Sequence, residues 1–344
     1  MASEPPSATH RRGILAAGNF IVDRIKRIDA YPAENMLANI ESESRSNGGG
    51  PYNILKDLAA MGADYPLMAA GRVGGDEDGA WIRSDCAAHG IDASRLTVDP
   101  ESPTSYTDVM TARASGRRTF FHRRGANAKF DGSGLDFGEC GARIFHLAYL
   151  MLLDALDQVG PDGRTGASWL LERAAAAGME TSIDVVSTEH PEFRNIVLEA
   201  LPFTDHLLIN EVEASRVLGR TLDPAEPAAL VAAAQELRDF GVRRAVVLHT
   251  EHGAVMAERG SGVILQGAVN VPATSIRGAN GAGDAFAAGY LHAMHEGWAA
   301  EEALELAVCT AAACLSDASP SAGLISVADC LKSGRSLRFR EFRV

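Results

Sequence analysis

The ordered pattern of the chain opens at residues 13–17, GILAA, a short apolar run that ends at Gly18. Such a run, bounded by glycine, predicts a buried strand. Similar runs predict strands over 67–70, 144–147, 181–186, 206–209 and 245–248. Between them the apolar spacing lengthens to the helical period. It predicts helices over 51–61, 80–88, 169–177, 211–218, 228–240, 282–296 and 301–315. Pro51 sits in the first turn of the earliest helix and Gly62 just past its end. Gly178 stops the helix before it, and Pro227 opens the one after it. Strands alternating with helices at this spacing predict an α/β fold with a mostly parallel sheet covered on both faces.

Two stretches break the alternation. Residues 24–47 are polar and interrupted by Pro32. Residues 102–124 carry β-formers alternating with polar residues around a turn at Ser115-Gly116. Both read as edge strands of a small sheet standing away from the main body. Residues 1–12, with two adjacent prolines, read as a loose tail. No repeat or long linker divides residues 13–344.

Composition narrows the function. Of 344 residues, 46% are hydrophobic and 22% charged, which is ordinary for a globular protein. With 32 basic and 45 acidic residues the net charge is −13. That balance argues against binding nucleic acid or an anionic membrane, both of which need a basic surface. The cysteines, Cys86, Cys140, Cys309, Cys314 and Cys330, form no CxxC pair, and read as free thiols in a reducing cytoplasm. No apolar run approaches the roughly 20 residues of a membrane span. The four lysines never follow a glycine, so the Walker A loop is absent; so is HExxH. The ten histidines show no metal-ligand spacing.

The candidate chemistry concentrates in residues 278–289, GANGAGDAFAAG. Gly281-Ala282-Gly283 at a helix start leaves backbone N–H groups unpaired and convergent, an arrangement that binds anions with help from the helix dipole. Asp284 has two possible jobs there. It either caps the helix or takes a proton from a hydroxyl beside a bound phosphate. A dinucleotide fingerprint is excluded, because Phe286 stands where the third glycine of GxGxxG belongs.

Gly281 to Phe286, GAGDAF, resembles the C-terminal signature of the ribokinase-like, or PfkB, carbohydrate kinases. Three further stretches share the resemblance: residues 48–53, GGGPYN, followed by Leu58-Ala59 and Gly62; residues 71–79, GRVGGDEDG; and residues 210–213, NEVE. The resemblance covers about residues 13–325. The resemblance implies a three-layer α/β/α domain with a β-sheet lid, and ATP-dependent phosphoryl transfer to a sugar hydroxyl. Asp284 would be the general base and the backbone of Gly281, Ala282 and Gly283 the anion hole. Asn210 and Glu213, one turn apart, would serve Mg²⁺ through water, and Asn210, Thr250 and Gly253 the nucleotide. Asp23, Gly49, Asn53 and Asn127 would bind the sugar. A homodimer through the lid follows by analogy.

The pattern departs from the family in places. Gly278 and Ala279 replace an Asp-Thr pair that holds potassium in similar kinases, so activity is expected to need Mg²⁺ and to respond little to K⁺. The family's TLGxxG becomes residues 248–253, LHTEHG. Ile21 stands where an asparagine is often found. The lid is cationic, with Arg113, Arg117, Arg118, His122, Arg123 and Arg124 either facing solvent or reaching an anionic group on the acceptor. Phe20, Tyr52, Tyr106, Phe120 and Phe121 keep a nucleoside acceptor open. A catalytically degenerate sensor is the reading from another class.

Overall fold

The computed structural model describes residues 11–344. The strands are β1 Ile14–Gly18, β2 Ile21–Ile28, β3 Ile40–Gly48, β4 Leu67–Gly74, β5 Ile91–Asp99, β6 Ser105–Ala112, β7 Arg118–Arg123, β8 Ile144–Leu150, β9 Glu180–Val185, β10 His206–Asn210, β11 Ala245–His249, β12 Gly253–Glu258 and β13 Val263–Gly267. The α-helices are α1 Gly50–Ala60, α2 Glu77–Ala88, α3 Asp154–Asp157, α4 Gly166–Ala176, α5 Phe193–Ala200, α6 Glu211–Leu218, α7 Pro227–Asp239, α8 Ala282–Glu296, α9 Ala300–Cys314 and α10 Val327–Leu337.

Nine strands form one sheet in the order β13-β12-β11-β10-β9-β8-β1-β4-β5. Pairing is parallel from β11 to β5; β12 and β13 are antiparallel additions at the opposite edge. The apolar runs are continuous because both faces are buried. On β1, Leu15 and Ala17 join a core under α4 to α7, while Ile14 and Ala16 join a core under α1, α2, α8 and α9. The predicted helices appear within a few residues of their expected bounds. Strand β5 escapes the pattern because charged residues interrupt it on the exposed edge of the sheet.

The second sheet has the order β3-β2-β6-β7. Here the expectation of two edge segments is corrected. Strands β2 and β6 are the interior pair, running parallel with Asp23 opposite Thr107, and β3 and β7 are the edges. The polar character of the interior strands reflects a sheet with one open face, not edge position. Arg24 of β2 and Arg45 of β3 both reach Asp78 of α2, at 2.8 and 3.5 Å, and tie this sheet to the body.

The expected tail at 1–12 falls largely on residues 1–10, which lie outside the described residues. Arg11 is buried and donates to the carbonyls of Phe137 and Ala142, each at 3.3 Å, so it belongs to the body. All five cysteines are buried and free. Among the described residues no helix is long and apolar enough to cross a membrane.

Candidate active site

A cleft of about 770 Å³ lies where the small sheet meets the carboxyl ends of the large sheet's strands. The chain leaves β1 toward β4 on one side, and β8 begins the strands on the other. Ligands of open α/β sheets gather at such a reversal, because the diverging loops leave a crevice there. Asp23, Gly49, Asn53, Asn210, Glu213 and residues 279–284 all line this cleft.

Asp284 is the third residue of α8 and is only 4% exposed. It does not cap the helix; Gly281 occupies the cap position with no side-chain bond. Instead the carboxylate is held from both sides. Asn53 Nδ2 donates to Oδ2 at 2.7 Å, and the Tyr149 hydroxyl donates to Oδ1 at 2.6 Å. Burial pushes its pKa up to about 6, against the pull of these two donors. Asn53 is positioned in turn by Asn47 at the end of β3, whose Nδ2 donates to Asn53 Oδ1 at 2.7 Å and to Ser321 Oγ at 2.9 Å.

The turn before α8 can form only with glycine at 281. Its φ is +77°, and a Cβ would fall 2.6 Å from Pro320 Cβ. The N–H groups of Gly281, Gly283 and Asp284 make no bond within the protein, while that of Ala282 leans weakly on the Ala279 carbonyl at 3.4 Å. Unpaired donors at a helix start facing a cleft are an anion cradle.

At one end of the cleft Asp23 is 8% exposed and accepts from Asn280 Nδ2 at 3.2 Å. Burial raises its pKa to about 7. Gly49 lets the backbone pass here: its φ is +88°, and a Cβ would fall 2.1 Å from the Asn19 carbonyl oxygen. At the other end Asn210 and Glu213 form a capping box at the start of α6. Asn210 Oδ1 accepts from the Glu213 N–H at 2.9 Å, and Glu213 Oε2 from the Asn210 N–H at 3.0 Å. The local capping role and the cleft position therefore coincide. Beside them stands Asp184, at the end of β9, whose pKa is raised well above the usual range by burial and by Glu213 and Asp284. Burial likewise lifts Glu213 to about 7. Acids crowded in this way fit a hard divalent cation, which would relieve the unfavourable charge. Among the described residues no group of three or more His, Cys, Asp or Glu side chains is placed to hold a metal ion.

Three expected residues are not brought into the cleft. The Asn127 side chain is fully buried, and its amide pairs with the backbone N–H and carbonyl of Phe20 at 3.4 and 3.2 Å. It fastens a loop to the core. Thr250 Oγ1 accepts from the His252 and Gly253 N–H groups, at 3.0 and 3.3 Å, closing the tight turn between β11 and β12. Gly253 opens β12 because a Cβ there would meet the Gln266 carbonyl oxygen at 2.5 Å. Of the cationic lid residues only Arg118 and His122 line the cleft; Arg113 pairs with Glu41, and Arg124 with Asp154 at 2.7 Å. Among the aromatics, Phe20 and Tyr52 pack together in the core, and only Phe120 reaches the cleft.

Sequence reasoning missed Tyr149, Asp184 and His249. An acid inside an otherwise apolar strand, TSIDVV, was the available signal for Asp184. His249 is buried, its pKa lowered to about 4 by burial, and its ring lies over Phe286 with centroids 4.8 Å apart. No comparable pattern marks Tyr149, which depends on how β8 ends.

Residues 13–326 match the family model described as pfkB family carbohydrate kinase. A ribokinase of Arabidopsis thaliana is 28% identical over 320 residues, covering 90% of this chain and 78% of the relative. A structure of Arabidopsis thaliana ribokinase with ribose and ATP superposes with a TM-score of 0.78 at 24% identity, over 96% of this chain and 99% of the other. A Burkholderia thailandensis nucleoside kinase in complex with inosine gives 0.71 at 19%, over 95% and 100%.

Proposed function

The chain belongs to the pfkB family of carbohydrate kinases, and on that premise we propose that it transfers the γ-phosphoryl group of ATP to a hydroxyl of a sugar or sugar-like alcohol. The observation that carries this reading is Asp284, buried in the cleft beside unpaired helix-start amides with a pKa of about 6. A base with that affinity is mostly ionised at neutral pH yet still strong enough to accept a proton. The acceptor oxygen attacks the γ-phosphorus. The new O–P bond forms as the bond to the bridging β–γ oxygen breaks, ADP leaves, and Asp284 takes the hydroxyl proton. The amides of residues 281–284 hold the charge on the moving phosphoryl group.

Asp23, Gly49 and Asn53 bind the acceptor in this reading. Asn210, Glu213 and Asp184 would hold, through water, a magnesium ion accompanying the nucleotide, and Mg²⁺ would supply neutralisation of phosphate charge. Five buried free thiols agree with a reducing cytoplasm. The lid also exposes Met36, Leu37, Ile40 and Phe121, at 70, 83, 53 and 51%. This apolar surface supports a homodimer through the lid.

A panel of sugars and nucleosides with ATP and Mg²⁺, read as ADP release, tests the proposal. One acceptor is expected to turn over, and Asp284→Asn to lower kcat by about 10²–10⁴-fold while acceptor binding survives. Full activity in Asp284→Asn would defeat the assignment of the base. Ligand binding without turnover across the panel would favour a sensor. Phe120 is the one observation favouring a nucleoside acceptor, since it offers a ring to a base at the cleft wall.

A further inference from the structure

The lid end of the cleft holds a cation that the protein leaves uncompensated. Arg118 opens β7, lines the cleft and is more than half buried. Among the described residues its guanidinium makes no hydrogen bond and no ion pair within 4.0 Å. Of the other lid arginines, Arg24 pairs with Asp78, Arg113 with Glu41 and Arg124 with Asp154, while Arg117 and Arg123 do not line the cleft. A half-buried guanidinium has lost much of its hydration, and its planar fork is shaped for a carboxylate or phosphate.

Its surroundings place the missing partner. Arg118 belongs to the small sheet that also carries Asp23 on β2, whereas Asp184 and Glu213 stand on β9 and α6 of the main body, so the guanidinium stands at the acceptor end. Asp23 does not neutralise it: the two form no ion pair, and burial keeps the Asp23 carboxyl only partly ionised near neutral pH. On the same face of β7, His122 Nδ1 meets Thr107 Oγ1 at 3.0 Å. Its Nε2 is buried and has no partner, and burial holds the ring neutral. The Thr107 hydroxyl also serves Asp23, so Thr107 links the histidine and the acid at the acceptor end. Asp23, the nearby acceptor, suits a hydroxyl.

We propose that the acceptor is an anionic polyol, a sugar acid or sugar phosphate, whose carboxylate or phosphate is held by Arg118 while its hydroxyls meet Asp23 and Asp284. This rests on the kinase reading above and narrows its substrate class.

The test uses the full chain in two measurements. Initial rates with ATP and Mg²⁺ are compared for neutral sugars, sugar acids and sugar phosphates of matched length, and acceptor binding is followed separately by calorimetry without nucleotide. One anionic class is expected to exceed its neutral counterpart in kcat/KM, and which class it is identifies the anion. Arg118→Gln should raise the KM for that acceptor about 10–100-fold, leave the KM for ATP unchanged and barely alter neutral acceptors, with partial recovery in Arg118→Lys. A preference for neutral sugars, an equal loss on all acceptors, or a change confined to the KM for ATP would overturn the proposal. Anion binding that disappears in Arg118→Gln without turnover of any acceptor would uphold the anion site and refute the kinase reading. Absence of anion binding in the wild-type chain would refute the anion site itself.

Discussion

At the scale of single residues, Asp284 is tuned by its two donors. Tyr149 and Asn53 stabilise its charged form, and burial opposes them. Tyr149→Phe removes one donor, so the carboxylate becomes harder to ionise. In the proposed mechanism the deprotonated form is the active one, so kcat/KM is expected to rise with pH through the Asp284 pKa. The acid limb of the profile is expected to move up by about 0.5–1 unit in Tyr149→Phe, as read from initial rates between pH 5 and 8. Asp57 on α1 tells a different story. It is fully buried, and among the described residues neither carboxylate oxygen has a partner at hydrogen-bond geometry, the Ser321 hydroxyl being the polar group that acts on it. Burial raises its pKa well above the ordinary 3.8, so the folded state keeps a proton that the unfolded chain releases. Folded stability therefore falls as pH climbs from about 4 toward the raised value, by up to about 1.4 kcal/mol per pH unit. Asp57→Asn deletes that titration. Its melting temperature relative to wild type should increase between pH 5 and pH 7, and a constant difference would refute the assignment.

Among elements, α8 and the loop before it show what can be read from a sequence. GAGDAF announces a glycine turn, a helix and an acid together, and the positive φ of Gly281 is the kind of backbone only glycine adopts freely. Asn210 and Glu213 were equally legible, since a capping box is a local pattern. Asn127, Thr250 and Gly253 misled because each has a structural task. Asn127 is claimed by distant Phe20 and Gly253 by close approach to β13, while Thr250 is used up in closing its own turn. Tyr149 and Asp57 meet partners or lack them only once distant segments converge. The same loop carries a prediction about ions. A side chain at 278 would meet Ala318 Cα at 2.9 Å, so this backbone path has closed over the space an acidic ligand would need. Turnover should require Mg²⁺ and stay constant when KCl is replaced by tetramethylammonium chloride. Strong activation by K⁺ would contradict this account.

For the molecule as a whole, the large sheet was visible as alternating runs, whereas the arrangement of the lid was not. Polar strands such as IVDRIKRI look alike at an edge and in the interior of a sheet with one open face. That open lid surface carries the apolar residues named above, and association is expected to follow from it. Sedimentation should give twice the chain mass of 36.4 kDa, and the double variant Leu37→Asp/Phe121→Asp should sediment as a single chain with its fold intact. The bridge from Asn47 through Asn53 to Asp284 has a wider consequence. Asn47 ends a strand of the cover, so the cover's seating and the alignment of the base are fastened by one pair of amides. On the kinase reading, any displacement of the cover would part these amides and leave Asp284 misaligned, so lid position and catalytic competence are expected to rise and fall together.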